Sequence, residues 1–553
     1  MAFFLSRIRL VRWDQRTGIC LLVLLITTPL HAQNVLTYHN DNARTGQNLN
    51  ERILTPQNVS WRTFGKLFVI HVDGKVDAEP LYVESLQIPR HGLRNVLYVA
   101  TEHDSVYAFD ADTGQQFWQV RLLNSNETPS DNRGCSQVIP EIGITSTPVI
   151  DLDRGPHGTI YAVAMSKDQN GRYVQRLHGL DLQSGAEEFG GPVEVQAVFP
   201  GGGAASRNGT AVFDPKQYEE RAALLLVNGE IYTSWASHCD IDPYNGWVIS
   251  FNADTLKGTG VLDLTPNGDE GAIWQSGAGP AADADGNVYL MDANGTFDTT
   301  LDAQQFPARG DFGNSFVKIS KSSGRLAVAD YFTMFNVEAE NAQDDDLGAG
   351  GPVVLPDMND AAGKTKHMAV GIGKDRNIYL VDRDAMGKFS PKGNGGIYQW
   401  IPNALKGERY RGAPVYFDRR LFAGSVNDAI VEFHFSQARI VEEPASRTAT
   451  KFAYPGAIPS LSANGTKTGI VWAVENGKPA ILHAYDANDL SVELYNSMQA
   501  SGWRDYFGEG NKFVTPMIVH GKVYVGTTDG VGVLGLLRRT NPAGTGRQPG
   551  IRK

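Results

Sequence analysis

Several short stretches gather side chains that could act on a substrate or hold an ion. Trp235-Ala-Ser-His238-Cys239-Asp240 sets an imidazole, a thiol and a carboxylate side by side, and Glu102-His103-Asp104 sets an imidazole between two acids. A histidine beside a carboxylate can give or take a proton near neutral pH. His103, His238 and Arg411 could therefore line a site for lyase or hydrolytic chemistry on a polysaccharide. No pair has the tight ligand spacing of a metal centre, and the expected role of each His is hydrogen bonding between strands and loops. Asp344-Asp345-Asp346 offers hard oxygen ligands for calcium. Three consecutive acids in a strand cannot all face one ion, so a solvated turn is expected there. Tyr38 to Arg44 (YHNDNAR) is a second dense polar run. A Walker loop, a Gly-x-Ser-x-Gly elbow, a dinucleotide fingerprint and a C-x-x-C-H haem motif are all absent from the sequence.

The elements that must position these residues repeat. VLYVATEHDSVYAFDADTGQQFW, Val96 to Trp118, is an aromatic in an apolar run, then a second strand, then an Asp/Gly turn. Weaker copies centre on Tyr161, Tyr232, Tyr289, Tyr379, Phe422, Trp472 and Tyr524. Each alternates apolar and polar residues at period two. A long repeat of several strands with almost no helical pattern predicts an all-β fold, a single β-propeller. Eight four-stranded blades are expected, over Ala78–Val120, Ile144–Val195, Ala222–Leu264, Ile273–Phe332, Leu347–Phe389, Arg411–Pro444, Phe452–Tyr495 and Lys512–Leu537. Seven is the alternative if the copy at Phe422 is not a blade. The last blade lacks one strand, and Phe64–Val72 (FGKLFVIHV) is expected to supply it and close the ring. Asp110 to Gly114 and Asp181 to Gly185 read as its turns, and Trp118 as packing between neighbouring blades.

Residues 1–32 read as an export signal: Arg7, Arg9, Arg12 and Arg16, an apolar run from Ile19 to Ile26, and a small residue at Ala32. The run is too short to span a membrane. Removing it takes the net charge from −11 to −14, which disfavours nucleic acid as a partner. The propeller then covers 33–537, and 538–553 reads as a disordered basic tail. A secreted or periplasmic location leaves Cys135 and Cys239 free to form one disulfide, with two buried thiols as the alternative.

The repeat Tyr107 to Trp118 resembles that of quinoproteins, the pyrroloquinoline quinone (PQQ) dehydrogenase-type propellers, over most of the chain. Trp274 to Phe297 resembles the family segment with a Trp floor under PQQ and an Asn facing its metal. The resemblance implies Trp274 as stacking platform and Asn294 as contact to cofactor and Ca²⁺. Arg309-Gly310-Asp311 resembles the segment of the catalytic base, and Gly373-Lys374 the strand whose cation touches the quinone oxygens. Asn132-Arg133-Gly134 resembles the family's Arg on the PQQ carboxylates. An aromatic floor, a cation on the quinone and a carboxylate near an alcohol together suit oxidation of an alcohol or sugar. The family's adjacent cysteines are absent, and Lys167-Asp168 stands where a Glu ligand for calcium is expected. That leaves a second implication open, a non-catalytic propeller that binds a protein partner, similar to outer-membrane assembly propellers. Taken singly, Trp274, Asn294, Asp311 and Lys374 also read as packing, a turn and two solvated charges.

Overall fold

The computed structural model describes residues 33–322 and 324–538. The expected signal (1–32) and all but Arg538 of the expected tail lie outside the described residues, as does Ser323. Regular structure from Gln33 on is almost entirely strand, with one short α-helix, Val337–Gln343, among the described residues. No helix there is long and apolar enough to cross a membrane.

Strands assemble locally into antiparallel sheets because each apolar run is followed by a turn that returns the chain beside itself. Sheet one comprises Leu81–Ile88, Gly92–Ala100, Ser105–Asp110 and Gln116–Arg121, paired in that order. Its Asp110 Oδ1 accepts the N–H groups of Asp112 and Thr113, and Gly114 closes the turn at φ +76°. Seven further large sheets follow, with first strands Val149–Asp151, Leu225–Val227, Ala281–Ala282, Val353–Val354, Val415–Phe417, Ser460–Asn464 and Met517–Val519. Two small ones are added, Val198–Pro200 with Thr210–Val212 and Ser206–Arg207, and Met358–Asn359 with Thr365–Lys366. The weak copy at Phe422 is a sheet of its own, in which Arg420–Gly424 pairs with Val415–Phe417 and Ile430–Ser436. The last sheet takes its fourth strand from Phe64–His71, which runs antiparallel to Gly530–Leu536 with Phe64 opposite Leu536.

Apolar faces of successive sheets bury one another. Val248 of sheet three packs in one cluster with Phe316 of sheet four and Tyr379 of sheet five. Tyr524 and Val531 of the last sheet pack with Tyr98 and Phe109 of the first. The repeated aromatic adds a polar joint. Tyr98, Tyr161 and Tyr524 are buried, and their hydroxyls donate to the turn carbonyls of Leu182, Ala253 and Ala111 in the neighbouring sheet, at 2.9, 2.9 and 3.0 Å. Trp118 Nε1 donates to the Leu182 carbonyl as well, at 3.1 Å.

The first strand of each sheet would have an unpaired edge. The segment from Val35 to Asn48 meets all eight in turn. Val35 exchanges backbone bonds with Tyr82, and Leu36 O accepts from Ile150 N. Asn42 Nδ2 donates to Leu226 O, Asn42 O accepts from Ala282 N, and Ala43 O accepts from Val354 N. Thr45 O and Gly46 O accept from Tyr416 N and Leu461 N, and Asn48 Nδ2 donates to Ile518 O. His39, Asn40, Arg44 and Gly46 all have positive φ, which lets the chain wind this tightly. At Gly46 a Cβ would lie 2.8 Å from both the His39 ring and Val415. Arg44 is fully buried and donates to Pro280 O, Thr37 Oγ1, Tyr38 O and Leu224 O at 2.7–2.9 Å.

Arg44→Met keeps the bulk and strands four acceptors. We expect it to cost about 3–5 kcal/mol in denaturant unfolding, given about 1.5–3 kcal/mol for a buried bond to a charged group. A loss below about 1 kcal/mol would show that the segment is not needed for stability.

Candidate functional site

The loops entering the first strands converge on a cavity of about 230 Å³. The N-terminal segment does not line it but lies one layer behind: Tyr38 packs on Ala223, Ala278 and Ala413, each two residues downstream of a lining residue, Arg221, Ser276 and Arg411. Trp274, Phe513, Tyr244 and Tyr454 supply aromatic wall. The charged lining is Arg221, Lys374, Arg411 and Lys512 against Asp240, Asp344 and Asp346.

These charges are not distributed evenly. Lys374 Nζ lies 2.5 Å from Asp344 Oδ1 and 2.5 Å from Asp346 Oδ2. Arg409 holds the other oxygen of Asp344 and also Asp345. Burial works against the Lys374 ammonium, but Asp346 and Asp344 outweigh it and hold its pKa above the ordinary lysine value. Burial would raise Asp344, yet the bond and charge of Lys374 and the charge of Arg409 keep it below the usual range. Asp346 is completely enclosed; burial raises its pKa, and Lys374 opposes that.

Arg221, Arg411 and Lys512 have no carboxylate partner among the described residues. Arg221 stands between two rings, its guanidinium carbon 5.5 Å from Trp274 and 5.4 Å from Phe513. Arg411 lies over Tyr454 at 5.5 Å. Lys512 donates to Ser136 O at 3.2 Å. Its pKa is lowered to about 8, by burial first and then by the like charges of Arg221 and Lys75. Asp240 lines the cavity without a cation bonded to it; burial raises its carboxyl, with Lys374 opposing.

Of the residues singled out from the sequence, Trp274, Asn294 and Lys374 share this cavity. Asn294 Nδ2 donates to Asp344 Oδ1 at 2.9 Å, while its own Oδ1 is buried without a partner. Asp311 does not line it. The backbone after it runs beside Ala293–Phe297, with Asn314 N bonded to Ala293 O and Phe312 bridged to Phe297. That register leaves Asp311 outside the lining and fully buried rather than solvated, with Oδ1 accepting the Asn267 N–H at 2.8 Å. Arg133 is also outside the lining. It sits on the loop after strand Glu127–Asp131, which extends sheet two and is pinned by a two-pronged Arg176–Glu127 pair, and its guanidinium stacks 5.0 Å from Tyr173.

Cys135 and Cys239 are bonded, with Cα atoms 6.1 Å apart. The bond ties the loop bearing Gln137 to the loop bearing Asp240, both at the cavity. His103 and His238 stand outside the lining and are spent on carboxylates, at 2.8 Å from Glu141 and 2.6 Å from Glu219. Arg411 alone of that trio faces the cavity. The acids the sequence reading set aside, Asp344 and Asp346, are inside it.

Two groups implied by the family can be tested against these side chains. A planar aromatic polycarboxylate fits the unpaired cations and the rings beside them. A hard divalent cation does not fit: it takes about six to eight oxygen ligands, and the carboxylate pair beside Asn294 already encloses the Lys374 ammonium. Among the described residues no group of three or more His, Cys, Asp or Glu is placed to hold a metal.

No family model matches the sequence. No curated protein matches it either. Solved structures do. The quinohemoprotein alcohol dehydrogenase ADHIIG from Pseudomonas putida HK5 aligns over 94% of this chain and 82% of its own, with TM-score 0.59 and 14% identity. The quinohemoprotein alcohol dehydrogenase from Comamonas testosteroni aligns over 93% and 82%, with TM-score 0.57 and 14% identity. A europium-containing methanol dehydrogenase aligns over 91% and 98%, with TM-score 0.59 and 12% identity. At such identities the likeness shows the fold: the chain is a β-propeller of the architecture those quinoprotein dehydrogenases share.

Lys512 provides a check on the cavity's electrostatics. A lysine lowered to about 8 from 10.5 binds fewer protons in the folded state between those pH values. Its contribution to stability therefore grows as pH rises through that window and is lost as pH falls through about 8. Competitive acylation followed by peptide mass analysis should give Lys512 a midpoint near 8, moving upward in Arg221→Gln. A midpoint in the ordinary lysine range would mean the cavity is as wet as the surface.

Proposed function

We propose that the eight sheets are the blades of one ring closed by Phe64–His71, and that this exported propeller binds PQQ in its axial cavity and oxidises an alcohol or sugar. The observation that carries the reading is the set of three cations without acid partners, Arg221, Arg411 and Lys512, gathered with Trp274, Phe513 and Tyr454 in one cavity. Arg221 is buried and Arg411 and Lys512 are half-buried, and cations withdrawn from water without a paired acid are costly unless a ligand supplies the counter-charge. Aromatic faces beside them select a planar anion, and a tricarboxylic quinone is such a molecule.

Bound there, the quinone supplies a two-electron acceptor. The chain's own residues do the rest. Arg221, Arg411 and Lys512 bind the carboxylates, and Lys374, fixed by two aspartates, presents a positive charge to an electron-rich oxygen. Asp240 takes the role of proton acceptor expected of Asp311, because it lines the cavity with no cation bonded to it. Its raised pKa suits a general base. The alternative is a propeller that binds a partner or an anion without turnover, which the misfit of a divalent cation favours.

Titrating PQQ into the purified protein while following tryptophan fluorescence separates these readings. We expect saturable quenching, with binding weakened about 10–100-fold in Arg411→Met, the equivalent of one lost charged hydrogen bond. Trp274→Phe should remove most of the quenching. Binding followed by dye reduction with an alcohol, abolished in Asp240→Asn, supports the oxidoreductase. Binding without turnover leaves the non-catalytic propeller, and no binding overturns the cofactor.

A further inference from the structure

We propose that Lys374 is a built-in substitute for a divalent cation, so that the cavity works metal-free and becomes a metal site only when this lysine is removed. The inference deepens the reading of the cavity given above but does not need a quinone to be true. Lys374 Nζ lies at 2.5 Å from one oxygen of each of two aspartates, the position a hard cation bridging Asp344 and Asp346 would take. The remaining oxygens are committed to N–H donors. Asp344 Oδ2 is held by Arg409, and Asp346 Oδ1 accepts the Ala349 N–H at 2.9 Å. A dication arriving at this pair would meet two resident positive charges, Lys374 and Arg409, and the other carboxylate and amide oxygens of the cavity not bonded to a cation are Asn294 Oδ1 and those of Asp240.

The arrangement is rigid enough to keep that geometry. The strap from Asp344 to Ala349 leaves the helix Val337–Gln343 through a left-handed residue, Asp344 at φ +55°. It is then bonded from both sides. Leu347 N donates to Asn314 Oδ1, Gly348 O accepts from Gln275 N, and Asp346 O accepts from Lys374 N. At Gly348 a Cβ would come within 2.3 Å of the Ala293 nitrogen, so the strap lies flat on the strand end that carries Asn294. Removing the ammonium therefore leaves one oxygen of each carboxylate turned to the point it vacates, beside Asn294, whose Nδ2 is bonded to Asp344 Oδ1 and whose Oδ1 has no partner. Oxygen-only ligation of that kind takes calcium or a lanthanide.

Terbium luminescence excited through tryptophan reads this directly, because Trp274 lines the same cavity. The wild-type protein, without quinone, is expected to give no saturable emission with up to millimolar terbium. Lys374→Met should gain saturable emission, at least tenfold stronger in binding, which is lost on adding Asp346→Asn or Trp274→Phe. Lys374→Arg keeps the charge and should stay blind to the ion, which provides a test should the methionine variant fail to fold. Saturable wild-type binding that Asp346→Asn abolishes overturns the proposal. So does a folded Lys374→Met that gains nothing, or a Lys374→Arg that binds. None of these outcomes depends on whether PQQ binds, so the cofactor reading stands or falls separately.

Discussion

The fold depends on one constraint: the first strand of each of the eight larger sheets presents a backbone edge that its own hairpins leave unpaired. Buried backbone donors and acceptors must find partners. Fourteen residues, Val35 to Asn48, provide partners to all eight edges. The segment's electrostatics follow from where it lies. Burial lowers His39 to about 4 and raises Glu79 to about 8, so at neutral pH both are largely uncharged. Burial lowers Arg44 too, to about 10, with Asp41 foremost among the charges opposing, which leaves it protonated. It is the one charge that four neighbouring acceptors can hold. The dense polar run of the sequence is therefore a structural pin that pairs the sheet edges behind the cavity.

That run was illegible for a physical reason. Its partners are scattered from Tyr82 to Ile518, and nothing local in YHNDNAR signals them. The repeat was legible because each copy performs the same local task. Tyr98, Tyr161 and Tyr524 hand their hydroxyls to the next sheet's turn, so the same residue types return at the same place in the strand. Where the task changes, the signal fades. Tyr379 bonds Asp375 in its own sheet, and Phe422 has no hydroxyl to give. The ambiguity between seven and eight copies sat at that phenylalanine, whose sheet is nonetheless complete.

The site was partly legible. Trp274 precedes the first strand of its sheet, and Asn294 and Lys374 follow the second strands of theirs, Val288–Met291 and Met368–Ile372, so each stands at a junction of loop and strand. Asp311 lies outside the lining because its neighbours, not its motif, set its place: Phe312 to Asn314 pair alongside Ala293–Phe297. Asp344 to Asp346 were discounted on the premise of a strand, in which alternate side chains face opposite ways. The premise was wrong. A left-handed residue at the helix end turns the chain, so Asp344 and Asp346 meet one ammonium while Arg409 bonds Asp345 as well as Asp344.

The cavity's charge pattern runs against that of the whole molecule. A chain with net charge −11 repels anions at long range, yet places Arg221, Arg411 and Lys512 at its axis without acid partners. Long-range steering cannot explain this, since screening confines such fields to about 8–10 Å in physiological salt. An anionic ligand of the kind proposed would be selected by contact inside the cavity, where burial strengthens each charge–charge term. Arg221 sets the terms of entry. Its guanidinium already occupies the gap between Trp274 and Phe513, so a flat ligand either stacks on the cation or displaces it to reach the indole. The Cys135–Cys239 bond limits how far the rim can open to allow that, because it couples the Gln137 and Asp240 loops. A small planar anion that exchanges places with one arginine satisfies both limits. A bulky chain such as a polysaccharide does not.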